Sequence, residues 1–296
     1  MRIRPWVPWL YMAPALLLMG LYLVYPMATN FVYSFMDRYS KEFVGLANYV
    51  WFFNNPDTLE TLYNNVLWLI LFVFGVVFLG LAIAVLLDRV PYEKVSKALI
   101  FMPMGIAAVG GGIAWKFVYA YAPKGEEQVG LLNAIVTSLG GDPIAWTINQ
   151  MSVFPIPSWS LNDIMIIIVA VWIWTGFSMV YCSASYKSQP RELRESARID
   201  GANEWQIFWR ITIPMMRIPL TTITVAMVTF ALKLFDEVYV MTGGNFGTEL
   251  LALDIYEYIW TFQHWGRASA IAVVLLIAVL PFIIYNIWDY RRRGVI

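Results

Sequence analysis

From Pro5 to Met36 the chain carries not one charged side chain. A bilayer core about 30 Å thick needs roughly 20 apolar residues at 1.5 Å each, and this stretch exceeds that length. It is too long for a cleavable signal peptide, and no small-residue cleavage pattern follows it. The rest of the chain agrees. Of 296 residues, 60% are hydrophobic and 14% charged, against about 25% charged in soluble domains. Such a chain cannot cover itself with polar surface, which excludes a soluble globular enzyme. The same apolar content excludes disorder. Twenty basic and twenty acidic residues cancel, which argues against a nucleic-acid partner. One cysteine, Cys182, forbids an internal disulfide, and one histidine, His264, leaves no histidine metal cluster and few hydrolase triads. An all-α, polytopic protein surrounded by membrane lipid remains.

Six segments have the length and apolarity of spans: about 9–35, 64–87, 98–121, 164–186, 218–241 and 268–288. The stretch 143–162 also lacks charge, but Pro143, Pro155 and Pro157 with Asn149 and Gln150 make it an ordered loop. Basic residues orient the spans. With the N-terminus inside, the cytoplasmic side holds Arg2, Arg4, Arg89, Lys94, Lys97, Lys187, Arg191, Arg194, Arg198, Arg210, Arg217, Arg291, Arg292 and Arg293. The outer side holds only Arg38, Lys41, Lys124 and Arg267. The bias predicts N-in and C-in, with Trp6, Trp9, Tyr285, Trp288 and Tyr290 as aromatic anchors at the inner face.

The loop between the fourth and fifth segments, residues 188–214, carries helix punctuation. Ser188 can cap, Pro190 suits a first turn, and Glu192 and Glu195 favour a positive helix end. Gly201 after Asp200 stops the first helix, Asn203-Glu204 starts a second, and Pro214 ends it. Two short helices with a sharp turn are predicted, offering Ala197, Ile199, Ala202, Ile207 and Phe208 as a small apolar surface. Physics alone leaves two uses open: an amphipathic pair resting on headgroups, or a docking surface.

Glu195-Ser196-Ala197, Asp200-Gly201-Ala202, Phe208, Ile211, Ile213 and Pro214 resemble the EAA signature of permease subunits of ABC importers, with Ser196 in place of alanine and Ile213 in place of leucine. FVGLANY (43–49), GLLN (130–133), KLFDEVYVMTGG (233–244) and GRASAIAVVL (266–275) resemble the maltose-type carbohydrate permeases, the first of their two unlike subunits. MTGGNFGTE and EWQIFWRITIPM are most similar to the α-glucoside and glucosylglycerol branch. The resemblance implies a type I importer permease fold: one transmembrane permease domain over residues 1–296, six transmembrane helices, and a cytoplasmic coupling helix that docks on an ATP-hydrolysing subunit. The coupling residues implied are Glu195, Ser196, Ala197, Asp200, Gly201, Ala202, Phe208, Ile211 and Pro214. It further implies a heterodimer with a second permease, two ATP-binding subunits holding ATP and Mg, an extracytoplasmic substrate-binding protein, and the bacterial cytoplasmic (inner) membrane. The long outer loop from Ala122 to Asn162 is the candidate contact for the binding protein. The chain has no Gly-Lys dipeptide, hence no phosphate-binding loop of the G-x-x-x-x-G-K-[ST] type. A non-catalytic subunit with no cofactor of its own and ATP held on another chain is expected.

A sugar crossing a bilayer needs hydrogen-bonding groups and flat apolar surfaces. Ala170, Ile173, Trp174 and Phe177 share one helix face by spacing, as do Met227, Phe230, Ala231 and Leu234. By spacing alone each stripe is helix packing or a lining. The resemblance brings the family's sugar-lining positions onto these two stripes, with Ala170, Ala231 and Leu234 where maltose-type members carry asparagines. Lys233, Asp236 and Glu237 lie at i, i+3 and i+4 and can pair, as a self-neutralised cluster, a gate contact or a proton relay. The last use belongs to the rival reading, a proton-coupled secondary transporter, for which inverted repeats are expected and not found. Gly110-Gly111-Gly112 either allow a close helix crossing or let the third segment unwind.

Overall fold

The computed structural model describes residues 6–88, 90–153 and 159–292. Arg2, Arg4, Arg89, Arg293, Pro155 and Pro157, used above for orientation and loop assignment, lie outside the described residues. Among the described residues the chain is helical, with isolated bridges Met36–Phe43 and Ser152–Ser160 and no extended strand. The helices are α1 (Val7–Met19), α2 (Tyr25–Tyr33), α3 (Ala47–Asn54), α4 (Pro56–Leu87), α5 (Glu93–Phe101), α6 (Ala108–Val118), α7 (Leu131–Ser138) and α8 (Leu161–Lys187). They continue as α9 (Arg191–Ile199), α10 (Glu204–Ile207), α11 (Ile213–Met215), α12 (Arg217–Ala231), α13 (Asp236–Met241), α14 (Leu251–Trp260) and α15 (Trp265–Arg292).

Among the described residues, four helical stretches are long and apolar enough to cross a membrane: Trp9–Tyr33, Pro56–Leu87, Leu161–Lys187 and Trp265–Asp289. Two bent pairs bring the number to six if each is one span. One is Glu93–Gly105 with Ala108–Val118, bent by 99°; the other is Glu204–Met215 with Arg217–Ala231, bent by 71°. The third predicted segment, 98–121, is therefore not one straight helix. Its chain tightens to a 3-10 turn at Met102–Gly105 around Pro103 and turns extended at Ile106. The fifth, 218–241, is also broken: α12 stops at Ala231 and α13 begins at Asp236.

The chain divides into two compact units: Met1–Leu59 with Asp254–Ala278, and Glu60–Leu253 with Val279–Ile296. In the first, Asn48 on α3 donates to the carbonyls of Ser34 and Met36 at 2.9 and 2.8 Å. Arg38 donates to the Phe262 carbonyl at 2.6 Å, and the Arg267 guanidinium lies 4.2 Å over the Trp51 ring. These contacts close the end of the unit. The apolar window of Trp9–Tyr33, by contrast, buries none of its residues within this chain.

In the second unit α4 shows how one helix makes a core. Asn64, Trp68, Phe72, Val76, Gly80 and Ala84 recur every four residues and are all buried. Bulk falls from Trp68 to Gly80, so α8 can close at that level, where a Cβ on Gly80 would meet Ser178 and the Met179 nitrogen. Val66, Ile70, Phe74 and Phe78 form the opposite, exposed stripe. Gly176 of α8 carries a second close approach: a Cβ there would lie 2.6 Å from the Ile100 carbonyl oxygen. The glycine triplet supports close packing. Gly111 and Gly112 lie in helix α6, where a Cβ would come within 3.2 Å of Ile173 and 3.3 Å of Val240.

The loop 122–162 holds structure of its own among its described residues. It holds α7, and the buried Asn133 of GLLN donates to the Ala120 and Ile144 carbonyls and accepts from Ile144 N–H and Trp146 Nε1.

Candidate coupling helices and transport path

The segment after α8 is a reversed helix pair, and each residue of the reversal has a reason. Pro190 is the residue before α9, and Ser188 ends α8 instead of capping α9. At the other end of α9, Ala202 N–H donates to Ala197 O at 2.9 Å and Gly201 N–H to Arg198 O at 3.1 Å. That bonding pattern is a Schellman stop, and it needs the left-handed backbone that Gly201 adopts at φ +86°. Asn203 then opens α10 with a capping box: its side chain accepts from Gln206 N–H at 2.8 Å, and its own N–H donates to Gln206 Oε1 at 3.0 Å. Arg198 and Glu204 pair across the turn at 2.9 Å.

Pro214 does not end the second helix. A π-turn at Phe208–Thr212 precedes it, with Ile213 N–H bonded to Phe208 O, and helix resumes to Met215. The same device stands before Pro26, where Tyr25 N–H bonds to Gly20 O. Proline lacks a donor and crowds the carbonyl one turn back, and a widened turn accommodates both defects.

Of the coupling residues, Glu195, Ser196, Asp200 and Gly201 are exposed, and Ala197, Ala202, Phe208, Ile211 and Pro214 are half-buried. Ile199 is 86% exposed, an apolar side chain on a charged helix. Ile207, expected in the same surface, is buried within the chain instead. Trp205 and Trp209 form an exposed aromatic pair on the second helix, with centroids 5.6 Å apart.

The two stripes do meet. Trp174 of α8 lies against Phe230 of α12, ring centroids 4.3 Å apart. Ala170, Ile173, Met227, Ala231 and Leu234 are buried, so much of both stripes is packing; Trp174, Phe177 and Phe230 keep open surface. Ile173 turns toward Gly111 of α6, and Leu234 falls beyond the end of α12.

Lys233, Asp236 and Glu237 do not pair. No ion pair among the described residues joins them, because the chain leaves the helix between Ala231 and Asp236 and the i, i+4 register is lost. Lys233 and Asp236 are exposed, while Glu237 is 2% exposed and approaches the Trp174 indole N–H. That N–H, itself buried, meets no acceptor at hydrogen-bond geometry. Spacing could not place Glu237 beside Trp174, since the two stand on separate helices.

A second feature absent from the sequence reading joins the helix ends near residues 88–97 and 183–187. Glu93 accepts from Lys187 at 2.7 Å and from Lys97, and Lys97 also donates to Ser183.

Residues 51–294 match the model of the family described as "Binding-protein-dependent transport system inner membrane component". The chain belongs to this family. It is 48% identical to the osmoprotective compounds uptake permease protein GgtC of Synechocystis sp., over 96% of this chain and 99% of that one. It is 42% identical to the alpha-glucoside transport system permease protein AglF of Rhizobium meliloti, over 97% and 83% of the two chains. A chain of a bacterial ABC transporter involved in the import of alginate superposes with a TM-score of 0.79, at 19% identity, over 97% of this chain and 96% of that one. The fold is that of an ABC importer permease, and the chain is a membrane-embedded permease component of a binding-protein-dependent transport system. Within such a permease, the reversed pair α9–α10 and the Trp174–Phe230 contact are the candidate coupling and transport elements.

Proposed function

We propose that this permease is the channel subunit of an ATP-driven sugar importer of the oligosaccharide, α-glucoside or glucosylglycerol class, working by alternating access. The observation that carries the substrate class is the 48% identity, over nearly both full chains, to a permease for osmoprotective compounds. The 42% identity to an alpha-glucoside permease points the same way. In this reading the broken segments 98–121 and 218–241 complete six spans, with 188–214 left on the cytoplasmic side and both termini in the cytoplasm of a bacterial cell, and the chain pairs with a second permease. Two ATP-binding subunits hold ATP and Mg and grip α9 and α10 through Glu195, Ser196, Ala197, Asp200, Gly201, Ala202, Phe208, Ile211 and Pro214. A binding protein delivers sugar from outside. This chain makes and breaks no bonds; it transmits motion and lines the path.

Trp174 and Phe230 supply the flat apolar surface that a sugar's C–H face needs. The exposed Ile199 and the doubly capped reversal at Gly201 suit a rigid handle. Family membership favours this reading over proton coupling through Lys233, Asp236 and Glu237. The test is reconstitution of the assembled transporter in liposomes with glucosylglycerol and with α-glucosides. Uptake that requires ATP and binding protein and survives an uncoupler is expected. Uptake that an uncoupler abolishes at constant ATP would overturn the reading.

A further inference from the structure

We propose that the pocket between α9 and the adjoining ends of α4 and α8 binds a phosphate group at the depth of the lipid headgroups. The pocket holds about 220 Å³ and is lined by Asp88, Tyr186, Arg191, Arg194, Glu195 and Arg198. Arg191, Arg194 and Arg198 follow at i, i+3 and i+7, so α9 turns one basic face to it. Arg194 is the decisive group. Its residue is 9% exposed, and its guanidinium lies 4.3 Å over the Tyr186 ring. Among the described residues it has no ion pair and no hydrogen bond. A guanidinium carries five N–H donors, and here it lines the pocket rather than being shut away from it. The ring satisfies its face and leaves its N–H edge for an acceptor.

The neighbouring charges do not supply that acceptor. Asp88 lies 3.7 Å from Lys187, which also pairs with Glu93. Arg198 is held by Glu204, and Glu195 is exposed. Arg191 and Arg194 are thus the cations left to receive an anion. Position decides its chemistry. Asp88 directly follows the candidate span Pro56–Leu87, and Tyr186 is the last residue but one of Leu161–Lys187. The pocket therefore stands where an apolar core gives way to headgroups, the depth of lipid phosphates. Planar guanidinium edges match phosphate oxygens in pairs. A phosphate seated there would tie α9 to two candidate spans, whatever solute the permease carries.

The test is native mass spectrometry of the purified full-length chain in its assembly, titrated with dioleoylphosphatidylglycerol, with and without inorganic phosphate. Wild type is expected to retain one such lipid at concentrations about tenfold below those needed by Arg194→Gln, the effect of one lost charge-assisted hydrogen bond. Arg191→Gln, an exposed position away from the Tyr186 contact, should weaken retention as well and serves if Arg194→Gln fails to assemble. Displacement of the lipid by inorganic phosphate assigns the site to either source of phosphate; retention against it assigns the site to the lipid. Equal lipid retention by wild type and both variants, with no effect of inorganic phosphate on any of them, would overturn the proposal.

Discussion

Gly201→Ala isolates the backbone of the helix reversal from everything else. Beyond the adjoining residues no atom lies within 4 Å of where the new Cβ would stand, so clashes with the rest of the chain contribute nothing. The cost is the left-handed conformation at φ +86°, about 1–2 kcal/mol for a residue with a Cβ. Loss of glycine's freedom in the unfolded chain returns about 0.4–1 kcal/mol. The net, about 1 kcal/mol, is roughly a fivefold increase in the open population of the turn. Hydrogen exchange on the intact assembly reads this directly. The amides of Gly201 and Ala202, bonded to Arg198 and Ala197, should exchange about fivefold faster, with α8 unchanged. Gly201→Asn should lose less, because asparagine tolerates this region better than other residues. Exchange in Gly201→Ala equal to wild type, or Gly201→Asn faster than Gly201→Ala, refutes the conformational argument.

Gly176→Ala drives a Cβ to 2.6 Å from the Ile100 carbonyl oxygen and should destabilise the chain in detergent by about 1–3 kcal/mol. Gly110→Ala, whose nearest neighbour is its own Ile106 at 3.4 Å, should be neutral or gain up to about 1 kcal/mol; the two melting curves separate packing from propensity. Trp174→Ala or Phe230→Ala should abolish uptake in proteoliposomes while the assembly purifies normally, and unchanged transport in both removes these stripes from the path. His264 is held below its ordinary value of 6.5, first by burial and then by the Arg267 charge. Its Nδ1 accepts from Arg267 N–H at 3.2 Å, a bond the protonated ring cannot make. A depressed folded-state value means that stability is complete above about pH 6.5 and is lost as pH falls. Wild type should lose more thermal stability than His264→Gln between pH 7.5 and 5.

The long apolar helices were legible in the sequence because hydrocarbon leaves a chain few other choices. The helix pair after α8 was legible because capping chemistry is local: Asp200-Gly201-Ala202 contains the Schellman stop, and Asn203 to Gln206 the capping box. The breaks were harder to read. Pro103 marks the bend between α5 and α6, yet Leu232 to Phe235 contain neither proline nor glycine, so no local signal announces the end of α12 there. Pro214 misled in the other direction, since a π-turn absorbs it. Pairing of Lys233 with Asp236 and Glu237 failed with the helix on which it depended. Contacts between distant helices had no local signal: Arg194 over Tyr186 and Glu237 near Trp174 appear only once the helices are placed. Several residues that carried the family resemblance prove to be structural pins. Asn48 and Asn133 hold loops by their amides, and a Cβ on Gly266 would strike the Met36 carbonyl.

In the proposed importer α9 and α10 are the part of this permease that a nucleotide-driven subunit holds. Ile199, 86% exposed, is the place to ask. A photo-crosslinking residue put there in the assembled transporter should capture an ATP-binding subunit. Crosslinks to lipid alone, or to no other chain, would contradict it.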